Sequence, residues 1–486
     1  MKTIVGILAG LLFAREAWAF CGFFVAQAGA KLFNKTSQVI IVRDGARTVV
    51  TMANDYQGDA KNFAMVVPVP TVLKREQIRV AEQGLFDRFD AYSGPRLAEY
   101  YDPAPCQRLF ARSSAMYEAS SAVENAAAPF PGGAKKLGVT IEAKYTVGEY
   151  DILILSAKES GGLAAWLTQN GYSIPDQAQE VLQPYIKNNL KFFVVKVNLN
   201  ELTNSQNLRP LQIEYDYDRF MLPIRLGMAN SDGVQDMVVY ALSKTGRIET
   251  VNYRTVPIPT NIDVPVSVKS RFGEFYKAVF DKAWLMEGKK AVFLEYFWDL
   301  SGSNFVKCDP CATDPPTGDD LIAAGANWLT RKEPDGWGGS NYDGTVYLTR
   351  LHVRYGRREF PEDLTFTETP NKQNFQGRYV LHIPGEGPYD CPAGKLYLKE
   401  LAARRMKEAD NLAKLTDWDV TPERKEAGDT EKNYIPWVFS RDVDEPGPPP
   451  SFTDYLLYVS GAVAVVLLVL TLVLVLPAAF KRIKAA

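Results

Sequence analysis

Cysteine and histidine are the residue types best able to do chemistry in this chain, and both are scarce. Only five cysteines and two histidines occur among 486 residues. Two bridges would leave one of the five thiols unpaired, and the sequence does not select the pairing. We predict structural disulfides rather than catalytic thiols. The candidate disulfide residues are Cys21, Cys106, Cys308 and Cys311; the fifth cysteine is Cys391.

Cys308-Asp309-Pro310-Cys311 is the sharpest local pattern, and it has three interpretations. A thioredoxin-like redox pair needs a sulfur at a helix N-terminus, where thiolate is stabilised. Here neighbouring aspartates would raise a thiol pKa, and Pro315-Pro316 indicates a loop. A zinc site would draw on Cys308, Cys311, Cys391 and His382, without a recognised spacing for its second pair. We favour a structural disulfide that pins an irregular loop, and we predict no metal and no cofactor.

The remaining candidate residues give no catalytic assignment. His352 lies in Leu351–Tyr355, where strand alternation favours a packed or solvated side chain over a catalytic one. Trp328–Asp343 combines aromatic, Gly, Asn and Asp residues, which suit a sugar or calcium surface, but exposed loops of exported proteins often have this composition, and we favour the loop. The sequence has no Gly-x-Ser-x-Gly elbow, phosphate-binding glycine loop or His-Glu-x-x-His helix. We therefore name no catalytic residue.

The sequences of the two ends of the chain predict that most of the protein lies outside the cytoplasm. Residues 1–19 have a basic start, a short apolar run and Ala17-Trp18-Ala19, the three parts of a secretory signal peptide. Tyr455–Phe480 has no charged residue and would reach ~39 Å as a helix, enough to span a bilayer core of ~30 Å. Lys481 and Arg482 follow, so the C-terminus is expected in the cytoplasm and residues 20–454 outside it. We predict a single-pass cell-membrane protein whose ectodomain is periplasmic or on the cell surface, where disulfides persist.

The elements between these ends predict an α+β fold with a β-rich ectodomain of antiparallel sheets and short helices, plus one C-terminal transmembrane helix. Predicted strands include Gln38–Arg43, Thr48–Ala53, Lys290–Trp298, Thr345–Tyr355 and Arg378–Ile383. Predicted helices are Gly162–Asn170, Asp176–Asn188, Arg271–Met286 and Leu396–Leu415. The Asp44-Gly45 pair between the first two strands predicts a hairpin turn.

Composition shifts along the chain predict its domain organisation. In chain order these are a signal peptide (1–19), an N-terminal β-rich subdomain (20–111), a linker or long loop (112–137), a central α+β subdomain (138–300), an irregular segment with the Cys-x-x-Cys pair (301–344), C-terminal strands and an amphipathic helix (345–422), a stalk (423–454), the transmembrane helix (455–480) and a cytoplasmic tail (481–486).

The charge balance of the chain argues against one class of partner, nucleic acid. Lys plus Arg number 55 and Asp plus Glu 57, so no basic excess exists to neutralise phosphates and we expect no nucleic acid. The expected partners are the lipid bilayer, through 455–480, and another envelope protein or a glycan. We expect a binding or structural ectodomain. The alternative is an envelope enzyme, either a thiol–disulfide oxidoreductase using Cys308 and Cys311 or a hydrolase.

Several stretches resemble an uncharacterised family of bacterial exported proteins, domain of unknown function 2330. They are Cys21-Gly22-Phe23, Lys31–Gly45, Phe63–Pro70, Cys308–Cys311, Phe360–Leu364 and Asn374–Tyr379. The resemblance implies a bacterial, exported and often membrane-anchored protein. It implies no activity, so no catalytic residue is carried over from it.

Overall fold

The computed structural model describes twelve stretches of the chain. These are residues 23–27, 33–34, 37–54, 56–57, 64–106, 138–170, 172–173, 178–197, 208–230, 233–301, 313–332 and 341–430. The chain divides into two compact units, Met1–Ala427 and Gly428–Ala486. Of the second unit only residues 428–430 are described. The predicted signal peptide, the 112–137 linker, Cys21, Cys308, Cys311 and residues 431–486 lie outside the described residues.

Strands dominate the described chain, and its helices are mostly short. The strands are β1 Phe23–Gln27, β2 Phe33–Asn34, β3 Ser37–Asp44, β4 Arg47–Asn54, β5 Tyr56–Gln57, β6 Ala64–Val69, β7 Ile78–Val80, β8 Arg96–Tyr101, β9 Val139–Val147, β10 Tyr150–Ala157, β11 Tyr172–Ser173, β12 Lys191–Val197, β13 Leu208–Asp216, β14 Met221–Leu222, β15 Gln235–Ser243, β16 Ile248–Thr250, β17 Arg254–Pro257, β18 Ile262–Asp263, β19 Ala291–Asp299, β20 Thr330–Arg331, β21 Tyr342–Asp343, β22 Tyr347–Tyr355, β23 Leu364–Glu368, β24 Phe375–Gln376 and β25 Arg378–Ile383. The helices are α1 Gln83–Ser93, α2 Ser160–Gln169, α3 Ala178–Lys187, α4 Phe272–Met286, α5 Gly318–Ala324, α6 Pro392–Thr416 and α7 Thr421–Asp429.

The largest sheet has nine strands. Eight follow the order β17-β19-β22-β15-β3-β4-β13-β7, and β24 pairs with β19. The predicted hairpin is confirmed: β3 and β4 pair from Asp44 and Arg47 outward, and Gly45 has a φ of 59°, which glycine adopts without strain. The pairs β3–β15 and β17–β19 are parallel and the other pairs are antiparallel. The sheet takes strands from all three predicted subdomains, whose boundaries stay predictions.

A second sheet of six strands, β11-β1-β6-β12-β10-β9, packs on one face of the large sheet. Successive side chains on a strand point to opposite faces, so each sheet contributes every second residue to the shared core. From the large sheet this core includes Val39, Val239 and Leu351, and from the small sheet Val67, Ile154 and Phe193. This sandwich core leaves the other face of each sheet to be covered by helices.

Helices cover those outer faces. Helices α2 and α3 pack on the six-stranded sheet, and α1 and α5 pack on the nine-stranded one. Helix α4 also lies against β19, through Phe280 and Phe293. Helix α6 packs with α4 on a small three-stranded sheet, β18-β25-β8. The remaining small sheets are β14-β23-β16, β2-β5 and β20-β21.

The predicted fold class is corrected on one point, the C-terminal transmembrane helix. Among the described residues, no helix combines the length and the apolar character needed to cross a bilayer. The longest, α6, has 25 residues but carries charged side chains such as Lys399 and Arg405, which are costly to place in hydrocarbon. Residues 455–480, to which the span was assigned, lie outside the described residues. The fold that the structure supports is mixed α+β, β-rich and with short helices.

Candidate functional site: a buried row of charges around His352

Three neighbouring strands of the nine-stranded sheet present charged side chains on its outer face. Strand β22 contributes Arg350, His352 and Arg354, which alternate with core-facing Leu351 and Val353. Strands β15 and β19 flank β22 on its two sides. Together with two aspartates from the covering helices, these residues form one continuous chain of contacts, which we call the charge row. The charge row consists of Asp90, Arg350, Glu295, His352, Asp236, Arg354 and Asp281.

A register shift in β19 helps to shape the row. The pairing of β19 with β22 shifts between Leu294 and Tyr296, so Glu295 is an extra residue that opposes no partner of its own. Leu294 and Phe297 face the sandwich core, whereas Tyr296 packs on the opposite side. Such bulges re-aim side chains locally. Glu295 and Tyr296 are thereby both available to the outer face, where the Glu295 side chain is fully buried.

His352 lies at the centre of the row with a carboxylate on each ring nitrogen. Its Nδ1 is 2.7 Å from Glu295 Oε1, and its Nε2 is 3.2 Å from Asp236 Oδ1. The ring stacks on Phe280 with 3.9 Å between the ring centroids. Burial alone lowers the pKa of a histidine, but here the two carboxylates outweigh it and raise the pKa of His352 to about 9. His352 is therefore an imidazolium at neutral pH and donates to both acids.

Glu295 is held ionised by the groups around it. Arg350 Nε lies 2.6 Å from Glu295 Oε2, and the Tyr276 hydroxyl donates to Oε1. Burial raises the pKa of this carboxyl, but the His352 and Arg350 charges and the hydrogen bonds outweigh burial and lower it to about 2. Arg350 also reaches Asp90 Oδ1 on α1 at 2.6 Å. The sheet is thereby connected to α1 through a buried guanidinium.

Arg354 extends the row toward α4. It donates to both oxygens of Asp236, at 2.9 Å from Nε and 3.0 Å from Nη2, and also pairs with Asp281 on α4. Its guanidinium lies 4.9 Å from the centre of the Phe280 ring. The ends of the row are open, since Asp90 is 48% and Asp281 37% exposed, whereas Glu295 between them is 0% exposed. The row therefore has two partly exposed ends and a buried centre.

This geometry does not suit His352 for general-base catalysis. In a hydrolytic triad one ring nitrogen faces the nucleophile and the other faces an orienting carboxylate. Both nitrogens of His352 face carboxylates, and an imidazolium has no lone pair with which to accept a proton. In the described part of the chain no hydroxyl or thiol contacts its ring. The row instead holds α1 and α4 on the sheet, so His352 is a packed residue, as its strand alternation predicts.

His382 lies in a different sheet and joins no site with His352. Its Nε2 is 3.4 Å from Asp263 Oδ1, and its ring stacks near Tyr100 with centroids 5.9 Å apart. Cys391 is bonded to Cys106 with an S–S length of 2.02 Å, so its sulfur is not a free thiolate for zinc. The structure thus brings Cys106 together with Cys391, while Cys21, Cys308 and Cys311 lie outside the described residues. Across the described stretches, no group of three or more His, Cys, Asp or Glu residues is arranged to hold a metal ion.

The sequence-based interpretation missed Glu295 and Asp236 as partners of His352. One signal was present: Glu295 is the single charged residue in the otherwise apolar stretch 291–298. A charge in a buried strand requires a partner, because unpaired burial is costly. Of the proposed Trp328–Asp343 ligand surface, residues 333–340 lie outside the described residues. Trp328 itself donates from Nε1 to the Thr345 carbonyl oxygen at 2.9 Å.

The fold and the row define a β-rich α+β protein whose buried charges connect its layers. Residues 15–367 match the family described as an uncharacterised protein conserved in bacteria, domain of unknown function 2330. Because the match covers more than half of the chain, the protein belongs to this family, as the resemblance of its motifs predicted. No curated protein and no solved structure matches the chain.

Proposed function

We propose that this protein is a binding or structural protein of the bacterial envelope rather than an enzyme. The observation that carries the proposal is the geometry at His352, where both ring nitrogens contact carboxylates. Groups that are paired in this way stabilise a scaffold, whereas a catalytic acid–base group needs one side open to substrate. The partner is expected to be another envelope protein or a glycan.

The disulfide supports a location outside the cytoplasm. Cys106 and Cys391 are 285 positions apart, and their bond ties the chain just after β8 to the N-cap residue of α6. Disulfides persist in oxidising compartments such as the bacterial periplasm and are rare in the cytosol. A bond that closes so long a loop also restricts the unfolded chain strongly, which suits a structural role.

The location is tested by trapping thiols in living bacteria. Cells that make the full chain are quenched in acid and their free thiols are alkylated with a mass tag. Cys106 and Cys391 are expected to resist the tag until a reductant is added. A matched chain without residues 1–19 serves as the cytoplasmic control and should take up the tag at both positions. Free Cys106 and Cys391 in the full chain would contradict the location.

The absence of catalysis is tested on the purified protein with ester, peptide and glycoside substrates and with insulin as a disulfide substrate. No turnover above background is expected. Hydrolysis that His352→Gln abolishes while the far-ultraviolet spectrum is unchanged would overturn the proposal. Insulin reduction that is lost in Cys308→Ser would establish the oxidoreductase alternative instead.

A further inference from the structure

Glu408, on α6, is a buried acid that the charge row does not include. It is 3% exposed and lies one position before Ala409, which packs in the core shared by α6, α4 and β25. Its Oε1 has no hydrogen-bond partner. The nearest cation is Arg404, one turn earlier, whose Nε lies 3.6 Å from Oε1. A buried carboxylate oxygen without a hydrogen-bond donor is costly to ionise, so the surroundings of Oε1 favour the neutral acid.

Arg404 is shared between Glu408 and Asp102: its Nε forms a long ion pair with Glu408, and its two terminal nitrogens contact Asp102. Its Nη1 lies 3.3 Å from Asp102 Oδ1 and its Nη2 pairs with Oδ2 of the same residue. The Tyr397 hydroxyl also donates to Asp102, at 2.7 Å. The Arg404 Nε, which faces Glu408, makes no hydrogen bond. Asp102 therefore takes the hydrogen bonds of the Arg404 guanidinium, and Glu408 keeps only the longer ion pair with Nε.

The other charged groups around Glu408 do not supply a donor either. From α6 itself there are Arg404, Arg405 and Lys407; from packed elements there are Asp263 in β18, His382 in β25, Asp102 after β8, Lys282 in α4 and Glu426 in α7. His382 and Lys407 both pair with Asp263, and Lys282 pairs with Asp417. Burial is the largest effect on Glu408 and, with the negative charges of Asp263 and Asp102, outweighs Arg404 and raises its pKa to about 7.

We propose that Glu408 is a proton-operated latch that holds the C-terminal half of α6 on the β18-β25-β8 sheet. When Glu408 is neutral the helix packs as seen here. When it loses its proton, a carboxylate that has only the 3.6 Å contact with Arg404 Nε lies near Asp102, Asp263 and the apolar core, and the helix loosens beyond Arg404. The first turn stays fixed, because Cys391 at its start is bonded to Cys106. The latch lies outside residues 15–367 and is independent of the proposed function.

The sign of the pH dependence follows from the direction of the shift. The pKa of Glu408 is raised in the folded chain from an ordinary value of 4.5, so folding favours the protonated form. Its contribution to stability is complete below about 4.5 and is lost as pH rises through about 7. Mild acid therefore closes the latch, and weakly alkaline solution opens it.

Hydrogen exchange on the full oxidised chain tests the latch at pH 6 and pH 8, with rates corrected for the intrinsic effect of pH. Amides of residues 405–416 should exchange roughly tenfold faster at pH 8 than at pH 6. This is because pH 8 is about one unit above the pKa of Glu408, and each unit of pH above a pKa lowers the protonated fraction about tenfold. Glu408→Gln, neutral and of the same shape, should remove that difference. Glu400→Gln, an exposed glutamate on the same helix, should keep it. The same pH response in wild type and Glu408→Gln would overturn the latch.

A second measurement keeps the proposal testable if the variant folds poorly. Carbon-13 NMR of glutamate carboxyls in the wild-type chain should show one carboxyl that titrates near pH 7. If every buried glutamate is already ionised at pH 5, the latch is excluded. Neither failure would touch the proposed function, which depends on His352.

Discussion

Glu295 and Glu408 are both buried glutamates, yet their pKa values shift in opposite directions. Glu295 is 0% exposed and its pKa falls to about 2, whereas Glu408 is 3% exposed and its pKa rises to about 7. Burial raises the pKa of both carboxyls. The difference lies in the donors: Glu295 receives Arg350, His352 and the Tyr276 hydroxyl, while Oε1 of Glu408 receives none.

Pairing with donors, rather than burial, decides whether an interior acid of this protein is ionised and holds two layers together or changes its charge with pH. The charge row fixes α1 and α4 to the large sheet with complete pairing at its buried centre. Helix α6 is instead held by apolar contacts, by the Arg404–Asp102 pair and by a disulfide. The charge of its buried acid, Glu408, depends on the pH. We expect the first region to be rigid and the second to respond to solution conditions.

The largest effect is expected from removing the Glu295 charge. Glu295→Gln leaves Arg350 and the imidazolium of His352 buried without their shared anion, and losing one partner of a buried pair costs about 3–5 kcal/mol. Urea unfolding at pH 7 measures this loss. Glu274→Gln, an exposed glutamate on α4, is the control and should change stability by less than about 0.5 kcal/mol. Equal stability of the two variants would show that the row contributes little.

The next largest effect is expected from removing the disulfide at the start of α6. Replacing both Cys106 and Cys391 by Ser opens a loop of 285 positions and should cost about 2–5 kcal/mol, mainly because the unfolded chain gains freedom. Urea unfolding of the oxidised wild type and of the double variant measures the difference. Reductant should bring the wild type to the level of the variant and leave the variant unchanged. A variant as stable as oxidised wild type would contradict a structural role for the bond.

A smaller effect separates the two regions by their pH windows. The pKa of His352 is raised from 6.5 to about 9, so its contribution is complete below about 6.5 and is lost as pH rises through about 9. At ~1.4 kcal/mol per unit this amounts to roughly 3 kcal/mol between those limits. Unfolding free energies of wild type and His352→Gln from pH 6 to pH 10 should converge at the alkaline end. A wild-type curve that is flat across this window would refute the pairing of His352 with its two carboxylates.

The smallest effect is expected at the exposed end of the row. Lys277 Nζ lies 3.0 Å from Asp281 Oδ2, and both side chains are more than a third exposed. Pairs of this kind contribute about 0.3–0.5 kcal/mol and are screened by salt. Lys277→Gln should therefore lower the free energy of unfolding by less than about 0.5 kcal/mol, and by nothing measurable in ~1 M salt. A loss comparable to that of Glu295→Gln would mean that the contribution of an ion pair in this region to stability does not depend on its burial.

Local patterns predicted the elements that build both regions. The alternation of Thr345–Tyr355 and Lys290–Trp298 predicted strands that the structure has as β22 and β19, and Leu396–Leu415 predicted most of α6. Those patterns depend only on near neighbours in sequence. They also favoured a packed His352, which the structure shows between two acids.

The partners of these elements were beyond local patterns. Glu295 meets His352 because β19 pairs with β22 and carries an extra residue, and neither the pairing nor the shift leaves a periodic trace in sequence. Cys106 and Cys391 are likewise brought together by the parallel pairing of β8 with β25, which no spacing of cysteines reveals. The fold class was predictable apart from its transmembrane helix, whereas the charge row required the register of the sheet.

The charge state of His352 can be measured directly, because the chain has only two histidines, and it decides whether His352 is a structural residue. Nitrogen-15 NMR of histidine-labelled protein, assigned with His382→Gln, reports protonation at each ring nitrogen. Nδ1 and Nε2 of His352 are both expected to carry protons at pH 7.5, and the ring is expected to titrate near pH 9. A neutral His352 at pH 7.5, with one nitrogen free to accept a proton, would contradict the structural role of His352 and make it a candidate catalytic base.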